Sequence, residues 1–250
     1  MAFTSAFSMN MTPENHQLIE DLSIANRILY LEGVVDGFGH ISARDAQDTT
    51  RFWIAKSMAP ALVTPSDILQ CDLEGVVHDP QNRTCYVERF IHSEIYRARP
   101  DVQAIVHSHS MSVIPFGVTS QRLRPICHMS GFLGSHTPIY EIRQTIGETS
   151  DLLITSQALG RSLAQSLGAH TVALMRGHGS VAVGVSIAQV VYRAIYTELN
   201  AKLQLESMKI GNIEFLTDGE AQATAVMNDQ HLKRPWELWK QKALQLPQLL

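Results

Sequence analysis

The chain has 250 residues, 45% of them hydrophobic and 18% charged, with a formal net charge of -4. That length fits one globular domain with a sizeable core, and the charge leaves no basic field to attract nucleic acid or an anionic membrane. No apolar run is long enough to span a bilayer, the first residues lack the basic and apolar regions of a signal peptide, and Cys71, Cys85 and Cys127 make neither a disulfide framework nor a CxxC pair. These features predict a soluble protein of the reducing cytoplasm.

Residues 1–11 are expected to form a flexible leader, and 12–250 a single domain. Thr12 is a candidate N-cap, with Pro13 at the first helical position and Glu14 in the first turn. Leu18, Ile19, Leu22, Ala25, Ile28, Leu29 and Leu31 then recur near helical spacing until Gly33. "GFGHISARD" and "TRFWIAKSM" read as two strands around the polar turn "DAQDTT". Pro65 and Ser66 open a short helix before a further strand. "YVERFIHSEIYRA" reads as a helix burying Val87, Phe90, Ile91 and Ile95, with Pro100 just past its end. A strand over "VQAIVHSHS" and a short helix over "MSVIPFGV" follow. "RPICHMSGFLG" and "TPIYEI" look strand-like, and "TSQALGRSLAQSLGAH" looks helical. "TVALMRGHGSVAVG" is a strand, a glycine-flanked turn and a second strand. The longest helix starts at Ser186, with Ile187, Val190, Val191, Ala194 and Leu199 recurring at helical spacing. The tail, 212–250, ends in a last helix whose Trp236 and Trp239 pack on the chain's own core or at an interface. This order predicts an α/β fold: one domain with helices flanking a central mixed or antiparallel sheet.

"AIVHSHS" carries the first chemical signal. In a strand, residues i and i+2 share a face, so His107 and His109 present two imidazoles together. Neutral imidazole is a good ligand for zinc, iron or manganese. His178, between Gly177 and Gly179, supplies a third candidate, and three histidines leave open positions on a metal. The alternative is polar residues at a strand end and a turn histidine. Glu88 is a candidate acid/base; the alternative is a solvated helix face on which it pairs with His92 four residues on.

Taken together, "GHIS" at 39–42, Glu88 in "YVERFIHSEIY", "HSH" at 107–109 and "GHG" at 177–179 before a long helix resemble the class II aldolase/adducin family, from about Leu18 to Leu205. The resemblance implies a three-layer fold and one divalent metal ion per subunit (zinc, manganese or iron) on His107, His109 and His178. It implies Glu88 as acid/base or displaceable ligand, and a homo-oligomer, often a tetramer with active sites at subunit interfaces. The sugar-phosphate aldolases of this family carry a glycine-asparagine-x-serine phosphate loop; here it is Gly39-His40-Ile41-Ser42. Their threonine-glycine turn is Ser57-Met58, and their hydroxyl pair before the glutamate is Tyr86-Val87, which removes small hydroxyls that suit phosphate. Their tyrosine proton donor aligns near Met129, beside His128.

"LMRGHG", "FGHISARD" and "PALVT" are similar to the branch that decarboxylates hydroxylated aromatic or pyridine dicarboxylates. On that reading Glu88 and His128 move protons, while His40, Ser42, Lys56, Ser57 and Arg176 orient a carboxylate substrate, arginine bidentately. Ordinary surface charge is the other account of Lys56 and Arg176. The competing functions are an aldolase for a non-phosphorylated hydroxy-keto acid or a sugar phosphate, a sugar-phosphate dehydratase, and a non-catalytic adducin-like scaffold.

Overall fold

Alternation along the strands sorts their side chains onto two faces, and each face recruits its own helices. A computed structural model describes residues 12–245; the leader expected over 1–11 lies outside the described residues. The elements run α1 (Pro13–Leu31), β1 (His40–Arg44), β2 (Arg51–Ala55), β3 (Ile68–Asp72), β4 (Val77–His78), α2 (Arg89–Ala98), β5 (Ala104–Ser108), α3 (Ile114–Val118), β6 (Ile139–Tyr140), α4 (Arg143–Ile146), α5 (Gln157–Leu167), β7 (Val172–Met175), β8 (Gly179–Gly184), α6 (Ile187–Ile210), α7 (Asp218–Asp229) and α8 (Lys233–Gln245). The sheet order is β4-β3-β2-β1-β5-β8-β7-β6. Every pairing is antiparallel except β6 with β7, so the sheet is mixed.

Ile41, Ala43, Trp53, Val106, Leu174 and Ala182 face one way and pack with α1, α6 and α8. Phe52, Ile54, Ile105, Ala173, Val181 and Val183 face the other way and pack with α2 and α5. The result is three layers with a single α/β domain's core split by its sheet. Thr12 caps α1 by accepting from the Asn15 N–H at 3.3 Å, and Ser186 caps α6 by accepting from the Gln189 N–H at 3.2 Å. Trp236 and Trp239 on α8 are buried against α1 and α6, and Lys240 and Lys242 pair with Asp21 and Glu32 of α1.

Several expectations need correction. "RPICHMSGFLG" is not a strand. The Ile126 N–H donates to Asn200 Oδ1, and Asn200 Nδ2 and Gln204 Nε2 donate to the carbonyls of Arg124 and Arg122. Side chains of α6 thus take the groups a sheet neighbour would take, and His128–Leu133 winds into 3-10 turns. Val87 lies ahead of α2 and is exposed, and only Ile91 and Ile95 of the four are fully buried. On α6, Leu199 is exposed, and the inward positions past Ala194 go to Ile195, Thr197, Asn200, Ala201 and Gln204. Helix α7 has no apolar stripe to betray it, but Thr217 and Glu220 cap it reciprocally.

Candidate metal centre and active site

β5, β1 and β8 place the functional side chains at one end of the sheet. His40 pairs with His107, and Ser108 with Ser180. His107 therefore shares the α2 face of the sheet with His40 and Ser42. His109 lies just past β5, and His178 sits on the turn between β7 and β8. The flanking glycines answer different needs. Gly177 has φ +66°, and a Cβ on Gly179 would stand 2.0 Å from the Ser108 carbonyl oxygen, so only glycine lets the turn close against β5.

The imidazoles converge. His109 Nε2 is 3.1 Å from His107 Nε2 and 2.9 Å from His178 Nε2. His107 Nδ1 lies 3.1 Å from the Ser180 carbonyl, and His178 Nδ1 lies 2.9 Å from that of Leu152. A carbonyl only accepts, so each Nδ1 carries the proton and each Nε2 is a lone pair. Two lone pairs then face His109 Nε2, which has one proton at most to offer them. Such a group repels itself unless a cation lies between its members. Nitrogens bonded to zinc at about 2.0–2.1 Å stand about 2.9–3.4 Å apart across usual ligand angles, and the observed separations fall in that span. The donor set fits a divalent cation, with carbonyl partners locking two rings from behind. Burial, then the neighbouring His107, holds His178 down to about 4, and burial lowers His109 as well. Both rings are neutral near pH 7, the form that ligates.

Glu88 completes the group: it and the three histidines offer ligand atoms within 4.8 Å of one another. It is the residue just before α2, not part of that helix's first turn. Its Oε2 is 3.5 Å from His107 Nε2 and 3.6 Å from His178 Nε2, and Oε1 accepts from the Ile154 N–H at 2.9 Å. Burial pushes this carboxyl up, but His107, His178 and the Ile154 N–H outweigh it and bring it to about 2. Leu152 and Ile154 thus hold His178 and Glu88 from one irregular segment. Leu152 adopts φ +68° to do so, strain of the kind found where function over-determines the backbone.

Beside the cluster lies a cavity of about 350 Å³ lined by Phe38, His40, Ser57, Met58, Tyr86, Glu88, His109 and Leu153 among others. That volume is at the lower end for small-molecule sites. Phe38 stands 68% exposed at its mouth, with its ring centroid 6.2 Å from that of His109. Tyr86 Oη donates to the Met58 carbonyl at 2.6 Å, and its ring packs at a tilt against His40, with centroids 4.6 Å apart. The wall is apolar and aromatic where a phosphate would need small donors.

The remaining candidates divide. His40 and Ser57 line the cavity. Ser42 does not: its hydroxyl is buried between His92 Nδ1 at 2.6 Å and Tyr96 Oη at 2.8 Å. Lys56 and Arg176 are each paired with an acid. Lys56 Nζ is 2.8 Å from Asp67 Oδ1, Arg176 Nε is 2.6 Å from Glu141 Oε2, and neither lines the cavity. Their charges are committed to acids that sequence spacing could not connect to them. His128 is exposed on its 3-10 turn and enters neither the cluster nor the cavity within one chain. His92, read as a partner for Glu88, instead meets His40: His40 Nδ1 and His92 Nε2 are 2.6 Å apart. His92, Tyr96 and Phe38 went unassigned in the sequence, although the i, i+4 spacing of His92 and Tyr96 sets them on one helix face. Among the described residues, no helix is long and apolar enough to cross a membrane.

Comparison with known proteins agrees with this geometry. Decarboxylase tropJ of Talaromyces stipitatus is 40% identical over 238 residues, covering 85% of this chain and 88% of the relative. A 3,4-dihydroxyphthalate decarboxylase of Arthrobacter keyseri is 28% identical, covering 77% and 79%. The structure of L-fuculose 1-phosphate aldolase from Glaciozyma antarctica superposes with TM-score 0.77 at 25% identity, covering 98% of this chain and 94% of that one. Residues 20–205 match the Class II Aldolase and Adducin N-terminal domain, and the chain belongs to that family.

Proposed function

We propose that this protein is a metal-dependent carbon-carbon lyase that decarboxylates a hydroxylated aromatic or pyridine carboxylate. The observation that carries the reading is the convergence of three histidine nitrogens and the Glu88 carboxylate beside an aromatic-walled cavity. His107, His109 and His178 would hold the divalent cation. When bound, that cation supplies Lewis-acid stabilisation for the electrons left behind as a C–C bond breaks. Phe38 and Tyr86 bracket a flat ring at the cavity mouth and wall. Glu88, anchored by the Ile154 N–H, accepts or returns a proton at its Oε2. His40 and Ser57 orient the substrate's oxygens. The decarboxylase relatives support this chemistry over aldol cleavage, and the Tyr86–Met58 wall disfavours a phosphorylated substrate. An intact ligand set argues against an adducin-like scaffold.

The exposed Leu199, Leu203 and Ile210 of α6 support assembly into a homo-oligomer, a tetramer on the family resemblance; light scattering gives the state. The activity test is mass spectrometry of metal-loaded protein offered hydroxylated aromatic acids, hydroxy-keto acids and sugar phosphates. Chelator-sensitive loss of CO2 from an aromatic acid is the expected result. Cleavage of a keto acid or sugar into two carbonyl products, with the aromatic acids untouched, would return the chain to the aldolases.

A further inference from the structure

His40 is the histidine beside the centre that does not join it. Its ring centroid is 5.0 Å from that of His107, it lines the cavity, and it is not one of the four converging residues. The reason lies behind it. His40 Nδ1, His92 Nε2, His92 Nδ1, Ser42 Oγ and Tyr96 Oη form an unbroken chain with links of 2.6, 2.6 and 2.8 Å, and all four residues are buried.

Such a chain has two possible polarities. In one, Tyr96 donates to Ser42, Ser42 to His92 Nδ1, and His92 Nε2–H to His40 Nδ1. Every donor is used, and His40 turns an Nε2–H toward the cavity. In the other, every bond reverses, and the Tyr96 hydroxyl hydrogen is left with no acceptor among the described residues. Burial pushes the Tyr96 phenol up, so the hydroxyl keeps its hydrogen. The Arg44 guanidinium stacks 4.6 Å from that ring, which favours the hydroxyl as donor. Burial holds His92 down to about 3, so it has one N–H to place. A buried donor without a partner is the costly arrangement, and the closed end at Tyr96 sets the direction of the whole chain.

We propose that Tyr96, Ser42 and His92 hold His40 as its Nε2–H tautomer, so that His40 meets the substrate as a hydrogen-bond donor and is barred from the metal as a ligand. His92 is the positioning residue. This rests on the reading of the site as a metal-dependent lyase for its use, though not for its test. An imidazole with its outward nitrogen protonated has no lone pair to give a cation. The centre therefore keeps an open side next to His40, where a substrate carboxylate or phenolate oxygen finds an N–H waiting.

The test is ¹⁵N NMR of histidine-labelled protein, with the His40 signals assigned by their loss in His40→Gln. The expected result is Nε2–H with an unprotonated Nδ1, unchanged on adding zinc, while His107, His109 and His178 shift. A His40 that carries its proton on Nδ1, or that shifts with the three ligands, overturns the proposal. In His92→Leu the signal should become a mixture of tautomers at unchanged zinc stoichiometry, whereas His92→Gln, which keeps a donor for Nδ1, should hold the wild-type signature. Retention of pure Nε2–H in His92→Leu would show that the chain does not set the tautomer. None of these spectra requires turnover, so a wrong substrate assignment leaves them readable.

Discussion

Two groups of histidines lie side by side on one face of the sheet, and they solve opposite problems. His40 and His92 belong to a chain in which donors and acceptors alternate down to Tyr96. His107, His109 and His178 turn three Nε2 atoms on one point, with too few hydrogens to link them. Both groups are desolvated, so burial does not distinguish them. The bookkeeping of lone pairs does. The completed chain stabilises the fold and fixes an orientation. The converging group costs stability until a cation enters, and that is what marks it as functional.

The contrast is broken most severely by His178→Ala. Activity should fall by more than the ~100-fold that loss of a partner behind a ligand costs, together with loss of bound metal; a variant that keeps both would remove His178 from the ligand set. Next, Glu88→Gln should lower kcat by about 10²–10⁴, the range for a lost general acid/base, with metal stoichiometry retained; an unaffected kcat would leave Glu88 a structural anchor for Ile154. Stability separates the two groups directly. By urea unfolding without metal, His109→Ala should be neutral or stabilising, because it relieves repulsion. Ser42→Ala should cost about 1–3 kcal/mol, because it strands His92 Nδ1 and the Tyr96 hydroxyl; equal losses would erase the distinction. The smallest effect belongs to the cavity mouth. Phe38→Ala should raise KM about tenfold with kcat little changed, in line with about 0.5–1.5 kcal/mol for an aromatic pair; an unchanged KM would take the ring contact out of the account.

What sequence could and could not reveal follows the range of each interaction. The i, i+2 rule placed His107 and His109 together, and the Thr12 cap was readable because capping is local. His178 stood out as a candidate on its glycine-flanked turn, but only the family resemblance joined it to His107 and His109, since nothing local connects residue 178 to residue 107. The ion pairs of Lys56 and Arg176 were not legible because their partners, Asp67 and Glu141, are met only after folding. The His40–His92 link crosses 52 positions and the hydrogen bond from Ile154 to Glu88 crosses 66; each joins a strand or loop to a helix that only packing brings near. The segment 124–134 read as strand-like, yet its start is held by Asn200 and Gln204 of a helix rather than by a sheet neighbour.

The central claim is that the three converging nitrogens hold a cation. Its most direct test is calorimetric titration of chelator-stripped protein with zinc and manganese, beside the His109→Ala variant. The account predicts one ion per chain for the wild type and loss of that binding in the variant. A wild type that takes up no ion, or a variant that binds as the wild type does, would contradict it.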